Sequence, residues 1–135
     1  MKKKKVLCIC ALGRNRSKYL ASYLKNKGYI TRFGDVELSE EEVGELSATG
    51  VPSKLLKQED VDWADVIILV RKRLEPIFRK KFNIRGKKFI VFDVTDSQRI
   101  VSSKHPKFEG LDYLNFQKKW TRPQLRKTIK KYLPL

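Results

Sequence analysis

Short apolar runs, separated by segments of helical length, constrain the fold of this chain more than any other feature of its sequence. We predict buried strands at 3–10, 65–70 and 88–94, because each contains a continuous apolar run. A weaker strand is predicted at 29–36. The connections are long enough for crossovers between parallel strands. The pattern predicts an α/β fold, a small three-layer domain with a parallel sheet of about four strands and helices on both faces.

The segments between and after these strands have the apolar spacing of helices. Helices are predicted at 17–27, 73–82 and 111–133. Pro123 is expected to break the last of them into two pieces, because proline lacks a backbone N–H and crowds the preceding turn. The segment 97–110 shows no such spacing and is predicted to be a loop.

The charge of the chain is strongly positive. Its net charge is +16, from 31 Lys and Arg against 15 Asp and Glu. We predict a single domain, 1–135, with a basic helical C-terminal part from about residue 104. The charge favours anionic partners such as phosphorylated molecules, and nucleic acid could bind through the basic surface. The other interpretation is a generally lysine-rich composition without a functional basic face.

Composition also excludes several classes of protein. The chain has two cysteines, Cys8 and Cys10, separated by one residue, so a disulfide scaffold is excluded. A structural zinc site is not expected, because the one histidine, His105, lies far away in sequence. No apolar run approaches the ~20 residues of a membrane span. We expect a cytoplasmic protein that needs no metal or cofactor and does not bind a membrane.

A cysteine, five further residues, an arginine and a serine follow the first predicted strand directly. A loop between a strand and a helix points backbone N–H groups inward and forms a site for an anion. The segment runs from Cys10 to Arg16 and Ser17, where the first helix begins. The residues that would bind the anion through their backbone are Ala11, Leu12, Gly13, Arg14 and Asn15.

The side chains at the two ends of this loop suggest chemistry beyond binding. Arg16 can hold two phosphate oxygens in a bidentate fork. The positive field of the loop and the helix N-terminus favours a Cys10 thiolate, which is a nucleophile that needs no histidine base. Ser17 could donate a hydrogen bond to the sulfur when it leaves, or cap the helix, or both.

These residues resemble the low-molecular-weight protein tyrosine phosphatase family, whose signature is Cys, five residues, Arg, and Ser or Thr after the first strand. The segment 63–68 is similar to the entry of the family's central strand, and 89–96 is similar to its last strand and acid loop. The resemblance covers 3–27 and 61–96, and points to a short, divergent branch of predicted phosphatases. It implies a hydrolase of phosphate monoesters, on phosphorylated proteins or small molecules, in which Cys10 attacks phosphorus.

The resemblance also implies a general acid, an Asp in the loop after the last strand. Asp96 lies past the strand end and is favoured, and Asp93 is the alternative acid. Phosphotyrosine protein is the favoured substrate, but other phosphate monoesters stay open because the loop departs from the family pattern. Leu12 and Gly13 stand where the family has Gly and Asn, and Ser97 stands where it usually has Pro.

Three other functions are compatible with a cysteine at the end of the first strand or with a basic surface. A phosphocarrier of the sugar-transport type lacks the arginine that Arg16 supplies. An arsenate reductase needs further resolving cysteines, and Cys8 inside a strand is badly placed for that role. A non-enzymatic module that binds nucleic acid or phosphoprotein through the basic surface is the main alternative. The oligomeric state is not predicted.

Overall fold

A parallel sheet forms the centre of the protein, as seen in a computed structural model that describes residues 3–10, 16–36, 55–84, 86–94 and 98–135. Its four strands lie in the order β2-β1-β3-β4, and all neighbouring pairs are parallel. The strands are β1 (Lys5–Cys10), β2 (Ile30–Asp35), β3 (Val66–Leu69) and β4 (Lys88–Val91). The predicted fold class is therefore confirmed, and each predicted strand is present with somewhat shorter bounds.

Helices connect the strands and continue after the last one. They are α1 (Arg16–Asn26), α2 (Gln58–Trp63), α3 (Glu75–Lys81), α4 (Gln98–Lys104), α5 (Tyr113–Phe116) and α6 (Arg122–Lys130). Short 3₁₀ turns cover Lys72–Leu74 and Pro106–Phe108. The helix predicted at 73–82 is confirmed, and it begins in the first of these turns. No helix among the described residues is long and apolar enough to cross a membrane.

Two apolar layers hold the helices against the two faces of the sheet. Alternate residues of β1 point to opposite faces, so Val6 and Cys8 pack under α1 and α6, while Leu7 and Ile9 pack under α2 and α3. Every residue from Val6 to Ile9 is fully buried. This burial on both faces explains why the strand is a continuous apolar run rather than an alternating one.

The strand order also determines where a ligand can bind. β1 is followed by α1 on one face, whereas β3 is followed by α3 on the other face. In open parallel sheets, ligands bind at the carboxyl edge where neighbouring strands are followed by helices on opposite faces. Cys10 is the last residue of β1 and lies at this edge.

The segment predicted to be a loop at 97–110 is largely helical, so that prediction was wrong. It contains α4 and the 3₁₀ turn at Pro106–Phe108. Its few apolar side chains do not reach the main core but form a small separate cluster in which Val101, Phe108 and Phe116 are buried. A helix that buries so little surface lacks the repeated apolar spacing from which helices are recognised in a sequence.

Pro123 does not break the last helix, contrary to the prediction. The helix runs without interruption through α5, a π-helical segment at Gln117–Thr121, and α6. The N–H of Arg122 donates to the carbonyl of Gln117, five residues back. The wider π turn just before the proline removes the crowding that would otherwise kink the helix.

Candidate active site

Cys10 is held at the carboxyl edge by the strands on both sides. In the register of the sheet it pairs with Asp35, the last residue of β2. Its carbonyl accepts a hydrogen bond of 3.2 Å from the N–H of Val36, and Val70 donates one of 3.0 Å to Ile9 just before it. The side chain of Cys10 is buried. The sulfur is thus attached to a strand end that hydrogen bonds from both neighbouring segments hold in place.

The serine that follows the loop returns to this sulfur. Ser17 lies in the first turn of α1, is fully buried, and its Oγ is 3.1 Å from Cys10 Sγ. Either atom could be the donor. The N-terminus of α1 carries a partial positive charge and unpaired N–H groups, which favour an anion next to Cys10. The loop residues Ala11, Leu12, Gly13, Arg14 and Asn15 lie outside the described residues, so their role stays a prediction.

Arg16 connects the loop to the strand that precedes the candidate acid. The residue is buried, and its Nη1 donates a hydrogen bond of 2.8 Å to the carbonyl of Val94. A guanidinium carries five N–H donors in a fixed planar fork, a geometry that matches the oxygens of a phosphate. A buried guanidinium is suited to an anionic ligand.

The backbone beyond β4 stays attached to the sheet up to the point where the acid loop begins. The N–H of Phe92 donates to Leu69 over 2.7 Å, and the N–H of Val94 donates to Val70 over 2.9 Å. β4 itself ends at Val91, three residues before the predicted end, and these bonds hold the segment that follows it against β3. They place Val94 at the same edge of the sheet as Cys10.

Of the two candidate acids, only Asp93 lies among the described residues. The carboxylate of Asp93 is 3.2 Å from the guanidinium of Arg71, in the connection that leaves β3. Asp93 therefore has a structural partner. Asp96 lies outside the described residues, and its role as the acid stays a prediction that rests on the family resemblance.

Gln98 and Asp35 are two residues at this edge that the sequence analysis did not single out. The side-chain amide of Gln98 donates to the carbonyls of Phe108 and Leu111, over 3.0 and 2.8 Å, and so anchors the chain directly after the acid loop.

Asp35 is fully buried beside the Cys10 strand end. An acidic residue at the end of a predicted parallel strand was the signal for Asp35, since carboxyl ends of such strands meet at one edge. Nothing in the sequence signalled Gln98.

Cys8 is buried in the middle of β1 and cannot serve as a second nucleophile. Burial raises the pKa of its thiol far above the ordinary range, and the nearby charge of Cys10 raises it further. The thiol therefore stays neutral at all physiological pH values. Cys8 is a core residue, in agreement with its position on the face of β1 that packs under α1.

Metal ligation finds no support in the part of the chain that the structure describes. No three His, Cys, Asp or Glu side chains come together there in a group that could hold a metal ion. His105 contacts the rings of Phe108 and Trp120 in the small cluster around α4.

Comparisons with solved structures agree with this architecture. The tyrosine phosphatase AmsI from Erwinia amylovora superimposes with a TM-score of 0.61 at 13% identity, over 98% of this chain and 92% of that chain. The chain has the fold of the low-molecular-weight protein tyrosine phosphatases. The YwlE arginine phosphatase from Geobacillus stearothermophilus superimposes with a TM-score of 0.51 at 20% identity, over 96% of this chain and 90% of that one.

Enzymes of another class share the fold. A thioredoxin-dependent arsenate reductase from Corynebacterium glutamicum superimposes with a TM-score of 0.53 at 16% identity, over 96% of this chain but only 61% of that chain. No protein-family model matches the sequence, and a search of curated proteins finds no match. The predicted resemblance is confirmed for the fold.

Proposed function

We propose that this chain is a cysteine-dependent phosphatase that hydrolyses a phosphate monoester through a phosphocysteine intermediate. One observation carries the proposal: at the end of a buried strand, Cys10 Sγ lies 3.1 Å from the Oγ of the buried Ser17. The buried Arg16 directly precedes Ser17 in the sequence. A thiol close to a hydroxyl at a helix N-terminus, with an arginine directly before the serine in sequence, suits attack on a phosphate. We place the protein in the cytoplasm, since a catalytic thiol needs a reducing compartment.

The reaction would proceed in two displacements at phosphorus. In the first, the Cys10 thiolate forms an S–P bond, the P–O bond to the leaving group breaks, and Asp96 gives that oxygen its proton. In the second, water attacks phosphorus, Asp96 accepts the proton of the water, and the S–P bond breaks to return the thiolate. Arg16 would bind the equatorial oxygens in both steps, and Ser17 would donate a hydrogen bond to the departing sulfur.

Phosphotyrosine in a protein is the substrate we favour, and small phosphate monoesters are the alternative. The fold is shared with AmsI, which is named a tyrosine phosphatase, and with YwlE, which is named an arginine phosphatase. The direct test is release of phosphate from an aryl phosphate between about pH 5 and 7, where a carboxylic acid and a thiolate can coexist. Parallel assays with phosphotyrosine, phosphoserine and phosphoarginine peptides would separate the substrates.

An arsenate reductase is less well supported. The chain has two cysteines, and the one besides Cys10 is Cys8, whose thiol is fully buried and neutral. A resolving thiol has to reach the sulfur of the nucleophile and attack it as a thiolate. Cys8 meets neither condition.

A binding module without activity is the second candidate, and the net charge of +16 is the observation that favours it. It predicts salt-sensitive binding to nucleic acid or phosphoprotein together with no release of phosphate. Turnover of an aryl phosphate that depends on Cys10 would exclude it.

Ser17→Ala is expected to slow the second displacement. Loss of a hydrogen bond to a charged sulfur of about 1.5–3 kcal/mol corresponds to a decrease in kcat of roughly 10- to 100-fold. Rapid mixing should then show a burst of the leaving alcohol, because phosphocysteine accumulates. Ser17→Thr keeps the hydroxyl and is the matched control, which should retain most of the activity. Equal losses in both variants would show that Ser17 acts only in packing.

Asp96→Asn is expected to slow the first displacement by roughly 10²- to 10⁴-fold, as for loss of a general acid. The loss should be greatest for aryl phosphates with poor leaving groups, because these need the proton most. Asp93→Asn is the matched control and should change kcat little, since Asp93 pairs with Arg71. A large, leaving-group-dependent loss in Asp93→Asn instead would assign the acid to Asp93.

A further inference from the structure

A cavity of about 770 Å³ opens beside the C-terminal end of α3, on the face of the sheet that α2 and α3 cover. Four cationic side chains line it, namely Arg79, Lys80, Lys81 and Lys87, and no Asp or Glu is among its described lining residues. None of its lining residues belongs to β1, α1 or the 92–94 segment. It is therefore separate from the Cys10 site.

The walls of this cavity are built from structured, mutually bonded residues. The amide of Gln58 donates to the carbonyl of Asn83 over 3.0 Å and accepts from the N–H of Asn83 over the same distance. Phe82 and Phe89 form an apolar wall, and both rings pack on the buried Phe78 at 5.3 and 5.7 Å between centroids. The cavity is thus preformed and does not need a ligand to order it.

Helix geometry explains only part of the positive charge. The C-terminus of a helix carries about half a negative charge, and cations there are stabilising. The four cationic side chains carry several times the positive charge that would balance this half charge. Glu75 pairs with Arg79 over 2.9 Å, but this still leaves three lysines around the cavity.

The lysines hold enough free donors to bind a ligand. Lys81 Nζ donates to the carbonyl of Val36 over 2.6 Å, and Lys87 Nζ donates to the carbonyls of Asp62 and Ala64 over 2.8 and 2.6 Å. An ammonium has three N–H donors, so each lysine has at least one donor that no described residue occupies. These bonds hold the ammonium groups in place. Lys80 is exposed and has no side-chain partner among the described residues.

We propose that this cavity binds a small ligand with several phosphate groups, about the size of a triphosphate. The volume lies in the range of small-molecule sites, about 300–1,000 Å³, and is too large for a single phosphate. Two carboxylates lie next to lining residues: Glu75 pairs with Arg79, and Asp62 accepts a hydrogen bond of 2.9 Å from Gln58. The lining itself carries four cationic side chains, and this excess of positive charge favours a multiply charged anion. The described lining comes from one short stretch of the surface around the end of α3, which fits such a ligand better than a nucleic-acid strand that needs an extended groove. The proposal does not depend on the phosphatase activity.

The test is a calorimetric titration of the full chain with inorganic tripolyphosphate at low ionic strength. We expect saturable binding of one equivalent, and Lys80→Glu should weaken it by at least about fivefold. Lys25→Glu is the matched control: Lys25 also lies in the last turn of a helix, α1, and the change in net charge is the same. Its affinity should stay within about twofold of the unmodified chain.

Other outcomes would overturn the proposal. Equal weakening by Lys80→Glu and Lys25→Glu would mean nonspecific attraction to a basic surface. Loss of binding in Arg16→Lys with no effect of Lys80→Glu would place the anion at the Cys10 loop. Tighter binding of a short single-stranded RNA that also depends on Lys80 would assign the surface to nucleic acid instead. Lys80→Gln is a second variant that removes the charge without introducing a carboxylate.

Discussion

Cys10→Ser is expected to abolish the release of phosphate from an aryl phosphate, with a loss of at least about 10³-fold in kcat. A serine hydroxyl stays protonated where a thiol ionises, and the described residues place no histidine beside Cys10 that could act as its base. The steady-state rate and the trapping of a phosphorylated protein after acid quench are the two measurements. The unmodified chain should yield an acid-trapped phosphocysteine, and the variant should yield none.

Cys8→Ala provides the matched control for this experiment. Cys8 lies two residues earlier in the same strand and on the same face, but its thiol is buried and neutral. The change removes one sulfur from the core and is expected to cost stability of about 1–2 kcal/mol while leaving kcat within a few fold. Full turnover in Cys10→Ser would refute the mechanism. Equal inactivation of both variants when both are folded would show that the strand, and not the nucleophile, was disturbed.

Arg16→Lys is expected to reduce kcat/KM by roughly 10²- to 10³-fold, the effect of losing an oriented donor to a transition state. Lysine keeps the charge but loses the planar fork that binds two oxygens. It also loses the guanidinium bond to the carbonyl of Val94 that precedes the acid loop. The loss should therefore appear in kcat as well as KM, and inorganic phosphate should inhibit the variant more weakly.

Arg126→Lys is the control for a conservative change of arginine. Arg126 donates through Nη1 to the hydroxyl of Tyr19 over 2.7 Å, on the face of the sheet that α1 and α6 cover. We expect its kinetics to stay within about twofold of the unmodified chain, since no described contact joins it to Cys10 or Val94. Similar losses of kcat/KM in Arg16→Lys and Arg126→Lys would show that Arg16 has no special role in catalysis. Retained activity in Arg16→Lys would contradict bidentate binding of phosphate.

Much of the fold follows from local patterns in the sequence. β1 and β3 are buried on both faces, and the strand predictions at 3–10 and 65–70 were accurate because such strands leave continuous apolar runs. α1 begins at Arg16, directly after the predicted loop. The candidate site could be predicted for the same reason, because Cys10, Arg16 and Ser17 lie within one stretch of eight residues.

The errors arose where a structure depends on distant partners. α4 was predicted as a loop because its single buried residue, Val101, packs into a small cluster that forms only with Phe108 and Phe116. Pro123 was predicted to break a helix, but the bond from Arg122 to Gln117 widens the preceding turn. Neither the small cluster around Val101 nor the widened turn before Pro123 produces a periodic pattern in the local sequence.

By itself, the sequence determined the α/β class, the position of the cysteine at a strand end and the arginine and serine that follow it. Only the tertiary structure decided that Ser17 returns to the sulfur, that Arg16 reaches the carbonyl of Val94, and that cations surround a separate cavity beside α3. The physical reason is the distance along the chain between the residues that interact. Strands and helices reflect the polarity of neighbouring residues, whereas a contact such as that of Arg16 with Val94 joins residues 78 positions apart. Such contacts form only after the sheet has brought the carboxyl ends of β1 and β4 to the same edge.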